Sequence, residues 1–227
     1  MSDFNVLVTD PPWSFKDALP GKKRGAKKHY KCLPIERIKT FDIPPLAKDC
    51  WLFMWRVGAM QQEALDVAKH MGFRVITEIV WVKTTRILTP EQIARRAIRM
   101  AIDIADCGPD LWSVQDAKIG KSNAALVAEL AAKIAFKQAR RVRIGMGHSL
   151  RNAHESCLVC KRGKPFKADA GVPSVIFGER GAHSSKPDEF YRTVNRFVGA
   201  QARIVELFAR RQQPGWTCLG DQMPKGQ

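Results

Sequence analysis

The chain has 227 residues, 45% of them hydrophobic, with 38 Lys and Arg against 22 Asp and Glu for a formal charge of +16. Such a content fills the core of one α/β domain with elaborations and excludes a disordered chain, while the charge excess points to a polyanionic partner, nucleic acid before any other. With no apolar run of about 18 residues and no signal-peptide pattern, no membrane is expected and the cytoplasm is the expected compartment.

Val6, Leu7 and Val8 read as a short buried strand. It stops at Asp10-Pro11-Pro12-Trp13, because consecutive prolines cannot donate to a ladder. A carboxylate, a stiff carbonyl-rich turn and an indole are thus presented together where open α/β sheets bind ligands. The set suits an exocyclic amine on a base. Asp10 and the Pro11 carbonyl accept its two N–H groups, Pro12 stiffens the turn, and Trp13 stacks on the flipped base. The same four residues also read as a strand ending in a proline turn with a core tryptophan, and alone they leave both readings open.

A loop rich in Gly and Lys follows. Lys22, Lys23, Arg24, Lys27 and Lys28, running into His29 and Tyr30, are expected to clamp a phosphate backbone beside the turn. Leu33 to Ile38 reads as a short helix with Pro34 in its first turn. Trp51 to Trp55 reads as a buried strand, Gly58 to His70 as a helix burying Ala64, Leu65, Val67 and Ala68, and Phe73 to Trp81 as another strand after Gly72. This alternation argues for an α/β sheet with parallel strands.

The stretch 86–143 changes character and is read as a helical insertion within a single domain spanning 1–227. Thr89 is an N-cap, Pro90 the first helical residue and Gln92 the third, a capping pattern. Ile93, Ala97, Ala101 and Ile104 line one face, and Arg95, Arg96 and Arg99 another. A second helix begins near Ser122, with Leu126, Val127, Leu130 and Ile134 inward. Gly120-Lys121-Ser122 is no phosphate loop, since Gln115 stands where the first glycine is required. Ser156 to Val159, Arg203 to Phe208 and the residues after Gly215 read as strands, and Pro187 opens a helix. Cys157 and Cys160 lie in the stretch His154 to Cys160, which itself reads as a strand, with no second ligand pair at zinc spacing nearby, so no metal is expected. Lys186, Arg210, Asp221 and Gln222 each stand just beyond an element end, where a shared crevice is expected.

Nine motifs occur in order: Asp10-Pro11-Pro12-Trp13, His29-Tyr30, Leu52-Phe53-Met54-Trp55, Gly72-Phe73, Trp81-Val82-Lys83, His154-Glu155, Ser185-Lys186-Pro187, Glu206-Leu207-Phe208-Ala209-Arg210 and Gly215-Trp216. In this series the chain resembles the family of the eukaryotic mRNA adenosine methyltransferase catalytic subunit, and most of all its compact bacterial and phage members that modify adenine in DNA. The resemblance implies a Rossmann-like methyltransferase sheet in permuted order, catalytic motif first, and S-adenosyl-L-methionine as cofactor. It implies methyl transfer to the N6 amine of adenine, in DNA by this reading and in RNA by the alternative. A catalytically degenerate nucleic-acid-binding subunit is a second alternative, and a homo-oligomer or partner subunit is compatible with all three.

By position, Asp10 and Pro11 would hold the amine, with Asp10 also near the methionine end of the cofactor. Lys186 would pair with the cofactor carboxylate, Arg210 and Gln222 would lie around the ribose, and Asp221 would be a further cofactor-binding position. Asp221 stands where the family more often has asparagine, and Arg211, Gln212 and Gln213 replace a histidine and asparagine of the mRNA enzyme. Nine residues precede Asp10, so either another part of the chain is expected to cover the cofactor adenine or a weak cofactor affinity is expected.

Overall fold

In a computed structural model of the chain, residues 3–14, 32–85, 88–106, 123–139, 142–145, 150–181 and 185–220 are described. The chain divides into two compact units, one made of residues 1–83 and 145–227 and the other of Thr84–Ile144.

The larger unit is built on a sheet of seven strands: β1 (Phe4–Thr9), β2 (Leu46–Arg56), β3 (Arg74–Thr84), β4 (His154–Arg162), β5 (Val175–Glu179), β6 (Ile204–Leu207) and β7 (Trp216–Leu219). Their spatial order is β5-β3-β4-β2-β1-β6-β7, so β1, which leads into Asp10, is an interior strand flanked by β2 and β6. The pairs β1–β2, β1–β6 and β6–β7 are parallel, as the strand and helix alternation implies. The expectation of a parallel sheet fails at β4, which runs antiparallel to both β2 and β3. Direction along a neighbour is set by the chain's return path, which periodicity within a strand does not encode. β5 was not expected at all: Val175-Ile176-Phe177 is short, and its alternating exposure marks an edge strand that buries only one face.

Helices cover both faces. α1 (Ile35–Lys39) and α2 (Gln61–His70) pack on one side, burying Ile38, Ala64, Val67 and Ala68 against Leu7, Leu52, Met54 and Leu158. α2 ends where Gly72 takes φ of 79°, which lets the Gly72 and Phe73 N–H groups cap the Lys69 and Ala68 carbonyls. The other side carries α5 (Asp188–Val198), whose Phe190, Tyr191, Val194 and Val198 pack on Val6, Val8, Phe53, Trp55 and Trp81. Cys157 belongs to this second layer and Cys160 to the first, so the two thiols face opposite sides of the sheet and cannot grip one ion.

The smaller unit is a pair of helices, α3 (Pro90–Asp106) and α4 (Asn123–Ala139). The capping pattern is realised at α3: the Gln92 N–H donates to the Thr89 hydroxyl at 3.2 Å and the Thr89 N–H to the Gln92 side-chain oxygen at 3.0 Å. Ala97 on α3 and Leu130 on α4 are buried. Adjacent antiparallel strands need only a tight turn between them. The link from β3 to β4 carries this whole unit instead.

Gly178 in β5 is a point of close approach. A Cβ there would stand 2.7 Å from Pro187 Cβ and 3.0 Å from Trp81 Nε1, whose N–H donates to the Gly178 carbonyl. Gly178→Ala is therefore expected to destabilise the larger unit by about 1–3 kcal/mol, read as a lower urea midpoint. An unchanged midpoint would show that Pro187 and Trp81 yield without cost.

Candidate active site

Asp10 follows directly on β1, at the carboxyl edge of the parallel strands. Lys186 precedes Pro187, the residue that leads into α5. Glu155 is the second residue of β4 and lies opposite Trp81 of β3, and Lys83 stands two residues further along β3 on the same face. Because β4 is antiparallel, its beginning lies at the edge where β1 and β3 end.

These four side chains form one chain of contacts. The Lys186 ammonium lies 3.1 Å from Asp10 Oδ1 and 2.9 Å from Glu155 Oε2, and Glu155 Oε1 lies 2.7 Å from the Lys83 ammonium. Two cations meet two carboxylates, so the group is neutral as a whole. Aromatic rings support it: Lys186 sits 4.5 Å from the centroid of Trp55 and Lys83 5.5 Å from that of Trp81. The two indoles meet edge to face at 6.3 Å. An ammonium over an indole face gains about 0.5–2 kcal/mol, more as water is excluded.

The electrostatics divide the carboxylates. Burial works to raise Glu155, but Lys186 and Lys83 outweigh it and hold the carboxyl at about 2. Asp10 is shifted the other way: burial raises it, and the Glu155 charge adds to that against the pull of Lys186. Burial by itself would lower Lys186, yet Asp10 and Glu155 together raise it, so it stays protonated.

A narrow crevice runs beside this group, lined by Asp10, Ser185, Lys186, Tyr191, Glu206, Phe208, Arg210 and Arg211. Lys186 and Arg210, expected to meet near Asp10, do so here. Asp221 and Gln222 lie outside the described residues, as do Lys22, Lys23, Arg24, Lys27, Lys28, His29 and Tyr30. Phe208 holds φ of 58°, a left-handed conformation that bulky residues rarely adopt, at the turn carrying Arg210 out of β6. A wider open hollow of about 320 Å³ lies at the opposite strand edge against Lys39, His70 and Arg162, and it has no carboxylate.

The proline turn has two surprises. Pro11 is buried, and its carbonyl accepts the Trp13 N–H at 2.8 Å while retaining one lone pair. Trp13 is 3% exposed, packs among Leu7, Leu52 and Met54, and donates its indole N–H to the Trp55 carbonyl at 3.0 Å. The expected stacking platform is thus a core tryptophan that braces the turn. The sequence pattern supported both readings, and burial decides between them.

Glu206 was missed as a site residue, although a lone acid within Ile204-Val205-Glu206-Leu207 is the signal that reveals it. Its side chain is buried under α5, where the Tyr191 hydroxyl donates to it at 3.2 Å. Burial raises its carboxyl to about 7, and the nearby Asp10 charge adds to the shift. Lys83 and Glu155 likewise belonged to recognisable motifs without an assigned role.

Two variants test these electrostatics. Lys186→Met leaves the partly buried Asp10 and Glu155 carboxylates without their shared cation, with Lys83 still beside Glu155, and is expected to cost about 3 kcal/mol near neutral pH; urea unfolding should show the loss shrinking as acid neutralises Asp10 and Glu155. Glu206 is raised from an ordinary 4.5 to about 7, so its contribution to stability is complete below 4.5 and is lost as pH rises through about 7. Glu206→Gln should match the wild type below pH 4.5 and exceed it above pH 7 by about 3 kcal/mol; equal melting curves at both pH values would refute the shift.

The family model described as MT-A70 matches residues 4–99 and 118–222. The N(6)-adenosine-methyltransferase MT-A70-like protein of Drosophila melanogaster is 26% identical over 226 residues, 98% of this chain and 27% of that protein. The human N(6)-adenosine-methyltransferase catalytic subunit METTL3 is 26% identical over 226 residues, again 98% of this chain and 29% of the relative. Human N(6)-adenine-specific methyltransferase METTL4 is 24% identical over 229 residues, 99% of this chain and 38% of its own length. The chain therefore spans between about a quarter and two fifths of the length of these relatives. The family match covers the β1 turn, β3, β4, α5 and β6, the elements that assemble the charged group, and the chain is a member of the MT-A70 family.

Proposed function

We propose that this chain transfers a methyl group from S-adenosyl-L-methionine to the exocyclic N6 amine of adenine, in DNA ahead of RNA. The observation that carries this reading is Asp10: a carboxylate at the end of an interior strand, tied to Lys186 and opening on the crevice that also holds Arg210.

The crevice fits such a cofactor by the chemistry of its donor set. It offers cations for a carboxylate (Lys186, Arg210) and carboxylates for an ammonium or sulfonium (Asp10, Glu206). The buried Trp55 indole N–H, in the ring under Lys186, has no acceptor among the described residues. When bound, the cofactor supplies an activated methyl on a positively charged sulfur.

The protein's part is positioning. Asp10 accepts one N–H of the adenine amine, and the remaining lone pair of the Pro11 carbonyl accepts the other, which concentrates the nitrogen lone pair for attack. Asp10 need not remove a proton beforehand; the surplus proton leaves to water once the new N–C bond exists. Trp13 fixes the turn from below, Pro12 stiffens it, and Glu155 with Lys83 holds the Lys186 ammonium in place. Gln222 is assigned to the ribose, Asp221 to the cofactor, and the basic stretch 22–30 to the phosphate backbone.

A flipped adenine presents the same amine in DNA and RNA, so Asp10 and Pro11 serve either. DNA is placed first on the resemblance of the motif series to compact family members that modify adenine in DNA. RNA is the second reading, favoured by the word adenosine in the names of the METTL3 relatives.

Methyl transfer from labelled cofactor to duplex DNA, single-stranded DNA and RNA tests the proposal. Wild type should label DNA, and Asp10→Ala should lose at least about 10²–10³ in rate. Full activity in that variant would sink the mechanism. A wild type inert on every substrate would favour a nucleic-acid-binding subunit.

A further inference from the structure

The smaller unit has an exposed face that the methyltransferase reading does not use. α3 buries Ala97 and turns Ile93 and Ala101 partly inward. Arg95, Arg96 and Arg99, together with Ile98 and Ile102, are exposed. Glu91 and Asp103 stand four residues from Arg95 and Arg99, the spacing at which helical ion pairs ordinarily form. Neither pair is made, and none of the three arginines has a carboxylate partner among the described residues; Lys133 on α4, by contrast, pairs with Glu129 at 2.8 Å. The guanidinium groups are thus open to an anion, on a well-capped helix that holds their spacing.

We propose that this face of α3 binds the sugar-phosphate backbone of the nucleic-acid substrate, with Arg95, Arg96 and Arg99 as phosphate contacts. The assignment rests on the adenine methyltransferase reading and adds a contact surface outside the Asp10 crevice. Charge complementarity selects the occupant, since the chain carries a formal charge of +16 and arginine forks match phosphate oxygens. Arg95 and Arg99 lie one turn apart, about 6 Å along the axis. Phosphates recur about every 3.4 Å of axis on each strand, so the set spans two or three of them. Ile98 and Ile102 flank the arginine stems and lower local hydration, which strengthens a phosphate contact. These contacts fall on the backbone and carry no sequence readout.

The test is the variant Arg95→Gln, Arg96→Gln, Arg99→Gln in the full chain, with Arg→Lys at the same positions as the charge-retaining control. Fluorescence anisotropy with a labelled DNA duplex and an RNA duplex of the same sequence is read across a salt series, and cofactor binding is read by calorimetry. The glutamine variant should bind the preferred duplex about tenfold or more weakly. Its log K against log salt slope should be shallower by roughly 0.9 for each phosphate that the variant leaves unneutralised. Cofactor affinity should be unchanged, and the lysine variant should recover most of the slope. An unchanged slope, or a loss confined to binding of phosphatidylserine vesicles or of an acidic protein, overturns the proposal. The outcomes also separate the two readings. A steep wild-type slope that flattens in the variant, with no methyl transfer by either, keeps the surface and removes the enzyme; methyl transfer with identical slopes does the reverse.

Discussion

The Lys186 ammonium, shared between Asp10 and Glu155, is the contact on which the site depends. Its side chain is 10% exposed, and an unpaired ammonium so placed would cost several kcal/mol. Asp10 and Glu155 both reach it, and Lys83 balances the second negative charge. That group joins the end of β1, the end of β3, the beginning of β4 and the approach to α5. A buried ionic group of this kind is seldom more stable than well-packed apolar residues. Its presence at a strand edge, over two indoles, fits a site kept for chemistry rather than for stability.

The direction of β4 makes this convergence geometrically available. Glu155 is near the amino end of its strand, whereas Asp10 and Lys83 are at or beyond the carboxyl ends of theirs. In an all-parallel sheet Glu155 would lie at the far edge, roughly a strand length away. Reversing one strand brings it beside Lys186. The same reversal makes β3 and β4 adjacent antiparallel neighbours, so their link is free in length and accommodates a folded unit without disturbing the ladder.

Two acids at one crevice are tuned apart from Glu155 by their surroundings. Glu206 meets a hydroxyl and apolar neighbours and is raised to about 7; Glu155 meets two ammonium groups and is held at about 2. Asp10, pulled down by Lys186 and up by burial and Glu155, is raised more than it is lowered. Placing a carboxylate against a fixed cation gives an acceptor of set orientation, the property that the proposed function uses to hold an amine.

Much of this was legible along the chain. The β1 strand and its proline turn, the apolar run of β2, the α2 face ending at Gly72, and the Thr89–Gln92 cap are written in neighbours a few residues apart, and each forms where it is read. Lys186 and Arg210 were placed at element ends by the same local logic and by an ordered motif series. What the sequence left open involves partners far apart: whether Trp13 faces a base or the core, which way β4 runs, that β5 is a strand, and that Glu155 links Lys83 to Lys186. Local propensity and hydrophobic period act through neighbouring residues, so the sequence by itself determined the elements and the residue types at their ends. Burial and strand direction are settled only when segments separated by tens of residues pack together, and for that reason the tertiary structure alone decided which of those residues meet.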